Sequence, residues 1–384
     1  MKIHPAICII LLLCSCNHRS VPADNEINAK HLMDVKEADV FAQDVFKKVF
    51  IIHPENCKDG LFSKPFHAEF YKDYLILHGS GGVLQVYDKQ GKFIFKTSKG
   101  KGPGELIQIA DFTVNYDTDE IYVTDGFKCL RLSLLGEGKG SFSIKPGTFN
   151  IGYVGQGKFC SFIPFNSFVE DGINYDFLYV SDSTGELLYT KKMKREIHSS
   201  PFLTSRSFNY CPNGVLFHAP YWDTIIKATP DGFFNDKILN YCGMKMPEEY
   251  LENLDLHRKH SQENFEMGFL FAKGKTFLFY SYRIKGAWGT VIYDQVTRTE
   301  FKTRDRKGQD YGIQFGNRDN QFLVWPQSVN SDYSLIMEAD IKELSSFAGK
   351  FKNENIEFYD VLVRDLNKLD TANDNPVIII GILK

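Results

Sequence analysis

The segments VYDKQGKFIF (86–95), VSDSTGELLY (180–189), KATPDGFFND (227–236) and IYDQVTRTEF (292–301) repeat one pattern: an apolar run, a polar turn, a second apolar run. Most of the turns hold Asp and Gly, which tolerate the positive φ that tight hairpins need. Adjacent copies lie roughly 50 to 95 residues apart. That is near one or two blades of a β-propeller, in which each blade is four strands around a central channel. A β-sandwich would also contain generic hairpins, but the regular recurrence favours the propeller.

Outward from these hairpins, short apolar runs continue from about residue 45 to the end. They include 49–52, 74–77, 83–87, 121–124, 159–163, 177–180, 215–218, 277–282 and 322–325. They are rich in Phe, Tyr, Val and Ile, which suit half-buried sheets. The expected fold is all-β, a six-bladed β-propeller spanning 45–384. One stretch breaks the pattern. In 247–267, Pro247 and two acids precede Tyr250, Leu251, Leu254, His257, Ser261 and Phe265 at helical spacing, which predicts a short helical insertion. A second, shorter helix is expected over 340–348. The apolar run 377–383 and the run 45–52 are the two candidates for the strand that locks the ring.

The chain begins MKIHPAICIILLLCS, then Cys16. Lys2 gives a positive start, and the apolar run 7–13 is far shorter than the roughly 20 residues of a membrane span. Residues 13–16 (LCSC) resemble the lipobox of bacterial lipoproteins. That resemblance makes 1–15 a signal peptide, with cleavage after Ser15, and Cys16 the lipidated residue. An ordinary secretory signal is the competing reading. Residues 16–44 then read as lipidated Cys plus a polar tether, and the expected location is the cell envelope, at the outer membrane. After cleavage Lys+Arg falls from 45 to 44 against 48 acids, a net of −4. With no clustered basic surface, nucleic acid is not an expected partner. Cys57, Cys129, Cys160, Cys211 and Cys242 remain, an odd number, and buried free thiols are the plainer expectation for most of them.

The segment SKGKGPGELIQIADFTVNYDTDEIYVTD (98–125) carries a further resemblance. Together with Asp88 to Phe93 before it, it is similar to the six-bladed β-propeller lipoproteins abundant in Bacteroidetes. The matching features are the turn Gly100-Lys101-Gly102-Pro103-Gly104-Glu105, the run from Ile121 to Asp125, the segment Tyr221-Trp222-Asp223-Thr224-Ile225, and Asn375-Pro376 before the last apolar strand. The resemblance implies fold and location but little chemistry. Read by itself, Gly102-Pro103-Gly104 sets one rigid residue between two permissive ones, which suits a sharp blade-to-blade crossing. The Glu105 carboxylate is placed to accept from turn amides. A ligand-facing role for this turn is the alternative.

No motif declares chemistry. G-x-S-x-G, H-E-x-x-H and the P-loop pattern are absent, and 136–140 (GEGKG) reads as a hairpin tip. His257 and His260 lie at i, i+3 near Glu252 and Glu263 without a third ligand, and 115–119 (NYDTD) lacks the Gly and Glu of a calcium loop. No metal and no cofactor is expected. His53, His67, His78, His198 and His218 are scattered, although a propeller can bring some of them to its axis. The aromatic positions Tyr221, Trp222, Trp288 and Trp325, with Asp223 and Arg283 beside them, are the ligand-like features, since exposed rings stack on sugars or peptide side chains and a nearby Asp or Arg fixes orientation. Packing between blades is the competing reading for them. The expected function is a membrane-tethered binding or scaffolding module for a glycan, peptide or envelope protein. A propeller hydrolase or lyase acting on polysaccharide or peptide is the alternative.

Overall fold

The structure is a computed structural model that describes residues 25–56, 59–60, 65–79, 81–196, 208–211, 213–219, 222–260, 265–273, 276–284, 287–303, 312–316, 321–324, 326, 328–329, 334–339, 344–347 and 375–384. Six antiparallel sheets form the blades of a propeller. Blade 1 comprises Pro65–Tyr71, Tyr74–Gly79, Leu84–Asp88 and Phe93–Lys96, from axis to rim. Blade 2 comprises Asp111–Asn115, Glu120–Thr124, Lys128–Ser133 and Gly138–Ser143, and blade 3 Asn150–Gly155, Lys158–Ile163, Ile173–Asp182 and Leu187–Arg195. Blade 4 holds Phe208–Cys211, Gly214–Phe217, Thr224–Thr229 and Gly232–Asn240, and blade 5 Phe265–Lys273, Phe277–Ile284, Ala287–Asp294 and Thr299–Thr303.

Blade 6 is composite. Its inner strands are Ser328–Val329 and Ser334–Ala339, its third strand is Val377–Leu383, and its outer strand is Phe46–Ile52. Both candidate locking strands are therefore used, and they pair with each other. Gly381 permits it: a Cβ there would sit 2.4 Å from the Phe46 ring. A further hairpin, Ile313–Gly316 with Gln321–Val324, shares one apolar core with blades 5 and 6.

The residues read as tether fold onto the ring from Asn25 onward. Glu26–Asn28 runs parallel to the outer strand of blade 4, Glu37–Ala38 runs parallel to that of blade 5, and Phe41 bridges Gln314. Between them the helix Ala29–Asp34 is capped by the Asn28 side chain, which accepts from His31 N at 3.0 Å. Ile27, Ala29, Leu32 and Val35 of this strap pack with Leu216, Ile225, Leu278 and Val291 of blades 4 and 5. Covering the outer edges removes unpaired strand donors and acceptors.

Antiparallel topology gives the ring two different faces. Turns between strands one and two, and between three and four, emerge on one side, here called the hairpin face. Links between strands two and three, and between blades, emerge on the other, the connection face. The four repeats of the sequence are the outer hairpins of blades 1, 3, 4 and 5. One side chain organises each turn. Asp88 Oδ1 accepts from Gln90 N and Lys92 N, Asp182 Oδ1 from Thr184 N and Glu186 N, and Asp294 Oδ1 from Val296 N and Thr297 N. In blade 4 Thr229 takes this place, accepting from Asp231 N, and in blade 2 Ser133 accepts from Leu135 N and Glu137 N.

The helical insertion is shorter than expected. Residues Glu248–Leu251 form a 3-10 turn and Leu254–His260 a short α-helix, and Phe265, assigned above to the helix, opens the inner strand of blade 5. Residues 344–347 are helical, within the second stretch expected to be so. Among the described residues, no helix is long and apolar enough to cross a membrane. Cys129, Cys160 and Cys211 are buried thiols and Cys242 is an exposed one, while Cys57 lies outside the described residues.

Candidate functional site

Polar side chains alternate along the inner strands, His67 and Glu69 in blade 1, Asp111 and Thr113 in blade 2, and they meet near the axis. His67 Nδ1 lies 2.8 Å from Asp111 Oδ1, and its Nε2 lies 3.1 Å from Glu69 Oε1. Asp111 Oδ2 also accepts from Ile151 N at 3.1 Å and Asn150 Nδ2 at 3.3 Å. Glu69 accepts from Tyr210 OH at 2.8 Å and from Tyr116 OH at 3.0 Å. Tyr210 belongs to blade 4 and also bonds Thr113 of blade 2, so its ring spans the axis and ties three blades together. Both His67 nitrogens thus face carboxylates, and the tyrosine hydroxyls and the Ile151 amide donate to those same carboxylates. His67, Glu69, Asp111, Thr113 and Tyr210 are all almost completely buried. The network ties blades 1 to 4 together near the axis.

On the connection face a second charged cluster joins blades 3 and 4. Asp176 Oδ2 lies 2.6 Å from both Nε and Nη2 of Arg195, and Arg195 Nη1 donates to Glu248 Oε1 at 2.9 Å. Trp222 Nε1 donates to the same Asp176 oxygen at 2.9 Å, and Phe165 N donates to Oδ1 at 3.0 Å. His218 lies close enough to feel Arg195. Burial, with a smaller contribution from that guanidinium, lowers its pKa to about 4. Its Nε2 has no hydrogen-bond partner.

Of the residues singled out from the sequence, those described lie in two different blades. Trp222 is fully buried and packs its ring edge-on against Phe217, so it is a structural donor. Asp223 is exposed and paired with Lys245 at 2.6 Å. Arg283 and Trp288 are cross-strand partners in blade 5, remote in topology from the Trp222 turn. Tyr221 and Trp325 lie outside the described residues. In the turn 100–105, Glu105 Oε2 accepts from Gly102 N at 2.9 Å, and a Cβ at Gly100 would lie 1.9 Å from that oxygen. Close approach of the carboxylate, not positive φ, is what requires glycine at position 100. Gly102 also offers its carbonyl to Lys128 Nζ at 3.2 Å, and Pro103 and Gly104 are exposed.

In the loop 115–119, Asn115 Oδ1 accepts from Asp117 N at 3.0 Å, Asp117 accepts from Tyr153 OH, and Asp119 accepts from Tyr71 OH at 2.6 Å. The carboxylates are thus turned to tyrosines. Among the described residues no group of His, Cys, Asp and Glu is arranged to hold a metal ion. The axial residues Glu69, Asp111 and Tyr210 carried no motif. Their only signal was polarity at alternate positions of otherwise apolar strands.

The pattern of a family described as a domain of unknown function, DUF4934, matches residues 25–381. No curated protein matches the sequence. Among solved structures, a protein of Bacteroides fragilis described only as exported is similar with a TM-score of 0.64 at 17% identity, covering 91% of this chain and 98% of that one. BamB of Moraxella catarrhalis gives a TM-score of 0.39 at 9% identity, covering 72% and 73%. A Bacteroides caccae protein of unknown function gives 0.34 at 10% identity, covering 69% and 81%. The first likeness extends over nearly the whole of both chains and shows the same fold.

Proposed function

We propose, from the premise that this chain belongs to the DUF4934 family, that it is a cell-envelope lipoprotein, anchored through Cys16 at the outer membrane, whose connection face binds a polypeptide partner. The observation that carries this reading is the contrast between a sealed axis and an apolar connection face. The described axial charges face one another and hold blades together. Around it, the links on the connection face expose Ile107, Phe127, Val169, Leu254 and Leu256. Four of these five side chains are aliphatic, which suits peptide or protein side chains better than sugar faces, since those prefer flat aromatic rings and Phe127 alone offers one here. Irregular loops on a rigid scaffold are also where binding residues concentrate. The description of the Bacteroides fragilis neighbour as exported supports the location.

A thermal-shift screen of the mature chain against peptide and glycan panels tests the reading, since a ligand that binds only the folded state raises the melting temperature. The expected result is a peptide-dependent rise that Phe127→Asp with Val169→Asp removes, with the peptide recovered intact. A glycan-dependent rise untouched by these substitutions, or turnover of the ligand, would overturn it.

A further inference from the structure

We propose that the hairpin face lies on the surface of a lipid bilayer, so that the connection face points away from the membrane. This rests on the lipid-anchor reading of Cys16 and adds the orientation. The first observation is the direction of the strap at its first described residues. Ile238 N donates to Asn25 O at 2.8 Å, and Glu26 to Asn28 run parallel to the outer strand of blade 4, with Glu26 opposite Ile238 and Asn28 opposite Asn240. That outer strand starts at the hairpin face with Gly232 and ends at the connection face with Asn240. The upstream end of the strap therefore points to the hairpin face. Nine residues, 17–25, separate it from Cys16, at most about 30 Å of extended chain. About 20 Å of that corresponds to the six residues of the neighbouring strand, 232–237, that precede Ile238. An acyl chain on Cys16 thus holds this face close to the bilayer.

The second observation is independent of the anchor. The outer hairpins of blades 2 to 5 each expose a large apolar side chain on this face: Leu135 at 58%, Leu187 at 45%, Phe234 at 53% and Val296 at 75%. Leu135 and Val296 lie in the turns themselves, and Leu187 and Phe234 lie on the outer strand within three residues of its hairpin end, so all four sit at the hairpin end of their blades along an arc of the rim. A plane is the partner that such an arc fits. Shallow insertion of these tips would add the second attachment that makes lipid anchoring firm. On the opposite face the exposed apolar residues sit on links of unequal length.

The test uses the full-length protein, exported, processed and reconstituted in vesicles of phosphatidylethanolamine and phosphatidylglycerol. Cys57 and Cys242 are replaced by serine, and an environment-sensitive fluorophore is placed at Val296→Cys or, as the control, at the well-exposed Val169→Cys of the connection face. We expect a blue shift and several-fold quenching by lipid-borne quencher at 296 and neither at 169. Leu135→Asp with Phe234→Asp should abolish the shift at 296 without releasing the protein from the vesicles. Quenching at 169, or aqueous spectra at both positions, overturns the orientation. The mass of the mature N terminus reports separately on the anchor. If Cys16 carries no acyl group the anchor reading fails, and the same labels on the soluble chain mixed with these vesicles decide the face.

Discussion

The hairpin face and the connection face are built by different rules. On the hairpin face, one short polar side chain per blade collects the turn amides, Asp88, Ser133, Asp182, Thr229 and Asp294 in turn, and the tips are small and alike. On the connection face the links differ in length and carry buried charge, with Arg195, Asp176 and Glu248 in one cluster and His67 and Asp111 at the start of the inner strands. The difference teaches where cost is concentrated. A hairpin tip is local and replaceable, whereas a connection-face cluster fixes how two blades sit together.

The comparison breaks first, and hardest, at Arg195. Arg195→Met leaves Asp176 buried with Trp222 and one backbone amide but without its cation. Removing one partner of a buried pair costs on the order of 3–5 kcal/mol. Denaturant unfolding should show that loss, and the double change Arg195→Met with Asp176→Leu should recover much of it. A loss below about 1 kcal/mol for the single change would mean that the cluster is solvated and the two faces are not so different.

Next comes pH. His218 has a folded-state value of about 4 against 6.5 unfolded, because burial and then Arg195 disfavour its cation. The unfolded chain therefore binds the proton first as pH falls. Stability from this residue is full above 6.5, declines from there to 4, and is constant below. The full span corresponds to about 3 kcal/mol. Relative to His218→Gln, the native chain should lose up to about 3 kcal/mol as pH drops through that window. Parallel curves would place His218 in solvent.

The hairpin face should respond more weakly. Asp182→Ala removes the acceptor for two amides in an exposed turn, so its loss should be near 1 kcal/mol. Gly185, which follows in that turn with φ +91°, keeps its shape. A loss as large as that of Arg195→Met would show that the tips, too, set blade geometry.

Legibility followed the same division. The outer hairpins could be read from sequence because their turns are local: Asp and Gly act within a few residues of each other. Blade 2 escaped the repeat because its turn, 133–138 (SLLGEG), is capped by Ser133 and holds no Asp at all, whereas the blade 4 turn keeps Asp231-Gly232. The strap was read as a tether because Ile27, Leu32, Val35 and Val40 are spaced irregularly among charges, and only the edges of blades 4 and 5 make them a buried set. The helix over 247–267 was overextended because Phe265 fits a helical period as well as it fits the start of a strand. Trp222 was expected to face a ligand because nothing in the chain near it announces Asp176, 46 residues away. The axial lock was illegible for the same reason: Glu69 and Tyr210 are 141 residues apart.

The smallest effect on stability should come from Val296→Asp. Val296 is 75% exposed, and its backbone N–H is held by Asp294, which the substitution leaves in place. Surface changes of this kind move stability by no more than about 0.5 kcal/mol. The melting temperature should stay put while the fraction of hairpin-face label shielded from aqueous quencher falls. A clear drop in melting temperature would instead show that the tip packs against part of this chain, and then apolar exposure at the four hairpins would owe nothing to a membrane. The two readouts together separate a residue kept for folding from one kept for a surface, and that is the distinction the two faces of the ring embody.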